Sequence, residues 1–168
     1  ERPWRVVSLG LREKAKPSDF IWVDVIRSEE GNLFASTQAL DPSKKKWPEQ
    51  ELRGLGFRDL KSTLESLTSH NLILNILSNT ESIDLQLSDL IGDGGKGRLL
   101  IQSEFDAVLI ATKKLQPLWL YGSSQAERVR LNRLATENAG AGVTLFFRTV
   151  PDAMPALKTS QVHLMSLR

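Results

Sequence analysis

The sequence has no cysteine and only two histidines, His70 and His163. Without cysteine there is no disulfide framework, no cysteine nucleophile and no thiolate zinc site. Two isolated histidines give little basis for a Ser-His-Asp triad. Long apolar runs are also missing. The stretch Val143 to Phe147 is broken by Thr144 and falls far short of the ~18 residues a membrane span needs. Glu1-Arg2-Pro3-Trp4 is not followed by a clean apolar segment, so no signal peptide is expected, and the non-Met first residue fits a processed or trimmed chain. These absences point to a cytoplasmic or other reducing intracellular compartment and to no membrane partner. A large charge of one sign is lacking too. The net charge is +2, so charge argues only weakly for nucleic acid, although the pI is about 9.0.

What is present is ordinary globular material: 168 residues, 40% hydrophobic and 25% charged, enough for one compact domain or one with a small appendage. The first part reads as β-rich. Val6, Val7 and Leu9 form one apolar run, and Phe20 to Ile26 has the β-branched and aromatic content of a strand. Glu29-Glu30-Gly31-Asn32 is turn chemistry, so Leu33-Phe34-Ala35 is expected to pair back, completing a small antiparallel meander. The polar segment Asp41 to Gln50, with two prolines and three consecutive lysines, is the natural boundary. It divides a β-rich segment, residues 1–47, from an α/β core, residues 48–168.

Within that core, Phe57, Leu60, Leu64 and Leu67 recur at helical spacing. Pro48 suits a helix start, while Gly54 and Gly56 interrupt. His70 closes this helix, where an imidazole can interact with the dipole. Asn71 to Leu77 has strand length, and the segment from Glu81 to Ile91 fits either a strand or a helix turn. Gly92 to Arg98 fails the phosphate-loop pattern at both ends, since Lys96 is followed by Gly97 and Leu90 stands where the first glycine belongs. Val108-Leu109-Ile110 and Leu118-Trp119-Leu120-Tyr121 read as strands separated only by residues 112–117, which implies an antiparallel hairpin. A helix capped by serine carries Val129, Leu131, Leu134 and Ala135, and Val143 to Arg148 follows as a buried strand. His163 alternates with Val162 and Leu164 on a last strand.

The order helix, strand, hairpin, helix, strand resembles the PD-(D/E)xK nuclease-like fold over about residues 57–150. The implied fold is α/β: a mixed central sheet flanked by helices, with an αβββαβ core and a β-rich N-terminal extension. By that resemblance "EFDAVLI" places Asp106 at the metal-binding Asp. In "LWLYGSS", Tyr121 stands where the second acid would be and Ser123 where the lysine would be. The site is thus degenerate, with Glu104 and Glu127 as possible migrated acids beside Asp106. Residues from Arg128 to the end also resemble, more weakly, the C-terminal part of RecA-like proteins of the SulA and ImuA type.

The expected function is a non-catalytic binding or scaffolding subunit, without cofactor, contacting a protein partner and in some settings nucleic acid. Candidate nucleic-acid contacts are Lys44, Lys45, Lys46, Arg130 and Arg133, with Trp47, exposed beside the lysines, as a stacking residue. Two alternatives stand beside it. One is a magnesium-dependent nuclease built around Asp106. The other is a RecA-like regulator in DNA repair or division control.

Overall fold

In the computed structural model, the described residues are 4–36, 40–41, 43–78, 82–91, 99–112, 119–122, 129–130, 133–134, 136–137, 144–147 and 162–167. They form an α/β structure arranged around strand β2, Phe20–Arg27. One edge of β2 pairs in parallel with β5, Asn71–Ile76, from Phe20↔Asn71 to Val25↔Ile76. The other edge is shared. Its first half takes β1, Trp4–Ser8, in parallel, and its second half takes β3, Leu33–Ser36, antiparallel. A 3-10 helix, Leu9–Lys14, joins β1 to β2.

Two further parallel ladders extend this arrangement. β5 pairs with β6, Leu99–Gln102, while β1 pairs with β9, Val162–Leu167. β9 continues to β8, Thr144–Phe147, and β8 to β7, Trp119–Gly122, again in parallel. The path β6-β5-β2-β1-β9-β8-β7 is therefore parallel throughout. Its two end strands, β6 and β7, lie against each other. A parallel sheet whose ends meet is a barrel, and it leaves β3 and the two-residue β4, Arg58–Asp59, as an antiparallel flap on one side.

Period-two alternation assigns the faces. Ile21, Val23 and Val25 of β2 and Leu72, Leu74 and Ile76 of β5 are buried in one cluster. That cluster also holds Leu60 and Leu67 from helix α2, Leu60–Ser66, and its C-terminal end, Ile83 and Leu87 from α3, Ile83–Ile91, and Val108 from α4, Asp106–Thr112. This is the outer, helix-covered face. The intervening residues, Trp22 and Asp24 on β2, Ile73 and Asn75 on β5, and Leu100 and Gln102 on β6, belong to the interior face. A second, smaller core gathers Ile26, Phe34, Trp47, Leu52 and Phe57 around α1, Glu49–Gly54.

Local chemistry sets the connections. The β2–β3 turn closes with Ser28 N–H donating to the Asn32 carbonyl and Gly31 N–H donating to the Ser28 carbonyl, with Gly31 at φ +92°. This is the hairpin the turn residues predict. Helix α1 starts after Pro48 and ends in a Schellman motif: Phe57 N–H donates to the Leu52 carbonyl and Gly56 N–H to the Arg53 carbonyl. Gly56 holds φ +84° there, and Leu52 and Phe57 pack together beside it. The ambiguous segment before Ile91 is helix α3.

Three expectations are corrected. β1 and β2 pair in parallel, so the N-terminal strands are not an antiparallel meander. Residues Asp106–Thr112 form helix α4 rather than the first strand of a hairpin. The nuclease-like αβββαβ core is thereby lost. The physical reason lies in Ala107 to Ala111, an unbroken apolar run that carries no period to separate helix from buried strand. Ser103 decides it: its Oγ accepts the Phe105 N–H at 3.0 Å and donates to the Ile76 carbonyl at 3.1 Å, fixing the helix start against the end of β5.

At Gly56 an added Cβ would meet nothing within 4 Å, so a substitution tests backbone conformation alone. Gly56→Ala is expected to lower stability by roughly 1–2 kcal/mol, read as a lower urea midpoint with unchanged slope.

Candidate active site at the barrel mouth

The C-terminal ends of β2, β5 and β6 surround an open cleft of about 880 Å³. Its floor and walls include Asp24, Ile26 and Arg27 from β2, Asn75 from β5 with Leu77 and Ser78 beyond it, and Glu104 and Phe105 after β6. The far wall is the segment Leu40 to Trp47, which contributes Asp41, Lys44 and Lys45. Active sites of α/β barrels are built at this end, where the strand ends converge and the loops that follow them can vary.

A polar row crosses the interior face at this level. Asp24 is in register with Asn75, and Asn75 with Gln102, so three neighbouring strands present a carboxylate and two amides side by side. The Asp24 Oδ1 accepts two hydrogen bonds, from the Trp22 indole N–H at 2.9 Å and from Asn75 Nδ2 at 2.8 Å. Its Oδ2 has no hydrogen-bond partner among the described residues. The Gln102 side chain is buried, 8% exposed, and it too makes no hydrogen bond among them. One carboxylate oxygen is thus held in orientation, and Asp24 lines the cleft.

The far wall is fixed to the β2–β3 turn. Glu29 N–H donates to the Trp47 carbonyl at 3.0 Å, and the Glu30 carboxylate accepts the Glu49 N–H at 3.0 Å at the start of α1. That backbone hydrogen bond holds the Glu30 carboxyl below the usual glutamate value. On the wall itself, Asp41 accepts from the Ser43 hydroxyl at 2.7 Å and from Ser43 N–H at 2.9 Å, and the hydroxyl bond is the main cause of its lowered pKa. Lys44 pairs with Glu51 and lies over the Trp47 ring, 4.5 Å from its centroid. Lys45 is exposed at the cleft.

No protein-family signature matches this sequence, and no curated protein matches it. Solved structures do. A glycerophosphodiester phosphodiesterase from Thermotoga maritima superposes with a TM-score of 0.58 at 15% identity, covering 99% of this chain and 95% of that one. An Oleispira antarctica phosphodiesterase, solved in complex with its product sn-glycerol-3-phosphate, gives 0.58 at 16% identity, covering 97% and 92%. A glycerophosphodiester phosphodiesterase from Agrobacterium tumefaciens gives 0.53 at 13%, covering 99% and 96%. The fold is that of the glycerophosphodiester phosphodiesterases. This overturns the nuclease-like and RecA-like resemblances, and with them the scaffold, nuclease and DNA-repair readings that rested on them.

Within this fold the residues singled out from sequence are scattered. Asp106 stands in the first turn of α4, where Arg130 Nε donates to its Oδ1 at 2.6 Å and Arg133 Nη2 to its Oδ2 at 3.1 Å. Arg130 Nη2 also reaches the Ser103 carbonyl at 3.4 Å. Both carboxylate oxygens of the supposed metal ligand are therefore occupied by guanidinium groups, which tie Arg130 and Arg133 to the start of α4. Glu104 is exposed on the cleft rim, and Glu127 lies outside the described residues, as do Ser123 and the segment 92–98. No group of three or more histidine, aspartate or glutamate side chains suited to a metal ion occurs among the described residues. Lys46 is exposed, while Trp47, expected to be exposed, is 7% exposed in the smaller core. His70 is half-buried in the turn after α2, with its Nδ1 unpartnered.

Sequence reasoning passed over Asp24, Asn75 and Gln102. The available signal was an acid in the middle of the otherwise apolar run Phe20 to Ile26. A carboxylate is not left on a strand that buried unless it is paired or used.

Two outcomes follow from these contacts. Asp106→Asn removes the counter-charge of two arginines and is expected to cost about 1–2 kcal/mol, seen as a lower urea midpoint. In acid, Glu30 has the lower pKa in the folded state, so its stabilising effect is complete above the unfolded value of about 4.3. That effect disappears as pH falls through the folded value. Glu30→Gln should therefore flatten the acid limb of stability against pH and leave the neutral plateau's shape unchanged.

Proposed function

We propose that this chain is a phosphodiesterase acting at the barrel mouth, with Asp24 as the group that moves the proton. The observation that carries this reading is the Asp24 carboxylate itself, oriented through one oxygen by Trp22 and Asn75 and free at the other. It faces a cleft large enough for a small phosphodiester, at the end of the barrel where such folds place their chemistry. The names of the structural neighbours, phosphodiesterases in each case, support the same reaction class.

In this scheme Oδ2 of Asp24 accepts a proton from the water that attacks phosphorus. The new P–O bond forms as the ester P–O bond breaks, and the leaving alkoxide is protonated from solvent through the open cleft. Lys45, exposed at the cleft, supplies positive charge to the phosphate, and Arg27 of β2 adds to the potential from the strand side. The Asn75 amide serves Asp24 by fixing its orientation.

The test is hydrolysis of glycerophosphodiesters and of a chromogenic phosphodiester by the whole chain. Asp24→Asn, which is isosteric, should lower kcat by about 100-fold or more at unchanged melting temperature, while Lys45→Ala should mainly raise KM. Full activity in Asp24→Asn, or no turnover of any phosphodiester by the wild-type chain, sinks the proposal.

A further inference from the structure

A second cavity lies on the helix-covered side of the barrel, separate from the mouth and sharing no lining residue with it. It has a volume of about 190 Å³ and is bounded by the 3-10 helix after β1, by Ala35 of β3, by the Gly56–Arg58 approach to β4, and by α2. Two guanidinium groups line it, Arg12 from the 3-10 helix and Arg58 from β4, together with the hydroxyl residues Ser62, Thr63 and Ser66 along α2.

The state of these groups is informative. Arg12 makes one long hydrogen bond, from Nη1 to the Leu9 carbonyl at 3.4 Å, and neither it nor Arg58 has a carboxylate partner among the described residues. The acid next to Arg58, Asp59, is instead taken by Arg53 at 3.1 Å. Two of the hydroxyls donate to backbone carbonyls, Thr63 Oγ1 to Asp59 and Ser66 Oγ to Thr63, while Ser62 makes no hydrogen bond among the described residues. Thr63 is buried, at 7% exposed, while Arg12, Arg58, Ser62 and Ser66 are exposed at the cavity's open side. Two exposed arginines lining one small cavity give it a positive potential that attracts an anion. A guanidinium fork matches the oxygens of phosphate better than any other common anion except carboxylate. The volume corresponds to about six waters at roughly 30 Å³ each, which accommodates a phosphate and part of an attached group but not a nucleotide.

We infer that this cavity is a binding site for a small phosphate oxyanion, inorganic phosphate or a short phosphomonoester, held between Arg12 and Arg58 with Ser62 as an additional donor. It stands independently of the reaction at the mouth. Phosphate has a second potential location there, beside Lys45, so the experiment reads position as well as affinity. Titration of the whole chain with inorganic phosphate at 0.15 M salt, followed by amide NMR, should give saturable shifts at Ser62, Thr63 and Ser66. Arg12→Gln/Arg58→Gln together should weaken the binding that those amides report by about tenfold or more, while phosphodiester turnover and melting temperature stay at the wild-type level. Arg58→Lys, which keeps the charge but loses the fork, should fall between the two. A parallel titration with glycerol phosphate separates a monoester site, where it binds tighter, from a phosphate site, where it binds equally or more weakly; either result supports the inference. Shifts confined to Asn75 and Ser78, no saturation, or an affinity unchanged by the double substitution would overturn it.

Discussion

The alternation of strand β2 is the constraint on which the rest depends. Ile21, Val23 and Val25 are completely buried against the helices. Each such side chain contributes about 1.5–3 kcal/mol by leaving water. A slip of one residue would send all three to the other face and drive Asp24 into an apolar layer without partners. Burial on the outside of the barrel therefore fixes the carboxylate on the inside. Because β2 is the strand that meets β1, β3 and β5 together, its register also sets Asn75 beside Asp24 and, one strand on, Gln102. The polar row is a consequence of hydrophobic packing on the opposite face.

Much of the local structure was legible in the sequence, and the reasons are local. The β2–β3 hairpin follows from Gly31 in a turn that needs positive φ, and the end of α1 from Gly56 for the same reason. Leu60 and Leu67 lie on the buried side of the helical turn that their spacing predicts. What was not legible is long-range. Whether β1 lies parallel or antiparallel to β2 depends on which strand approaches from the far end of the chain, and the partner proves to be β9, about 160 residues away. No composition cue within residues 4–27 carries that information. The segment Ala107 to Ala111 failed for a different reason, since a run that is apolar at every position is compatible with either period. The resemblance to a nuclease core was built on that one misassigned segment.

The site was less legible than the fold, and the misplaced residues share a cause. Asp106, Arg130 and Arg133 look like functional charge in a one-dimensional reading, yet they satisfy one another across more than twenty residues of sequence. Trp47 beside three lysines looks exposed, yet it packs with Ile26, Phe34, Leu52 and Phe57. In each case the partner lies far enough along the chain to be invisible to spacing. Asp24 errs the other way. Its neighbours in sequence are apolar, which disguised it as part of a core strand, and only the register with Asn75 shows the polar partner it has there.

Trp47 also explains how a cleft with a loop for one wall can position charge. The lysine segment would otherwise lose its geometry to chain entropy, at about 1–2 kcal/mol for each residue held. Here the Trp47 ring is anchored in a core of its own, its carbonyl accepts from Glu29, and α1, which follows directly, is tied through Glu49 to Glu30. Lys44 is drawn back onto that ring and onto Glu51, leaving Lys45 beside it as the exposed cation at the cleft. The two sides of the mouth are thus organised by different means: strand register places the carboxylate, and a buried aromatic anchor places the lysine. Strand β2 carries Asp24 to the cleft, and the turn that follows it pins the lysine wall through Glu29 and Glu30.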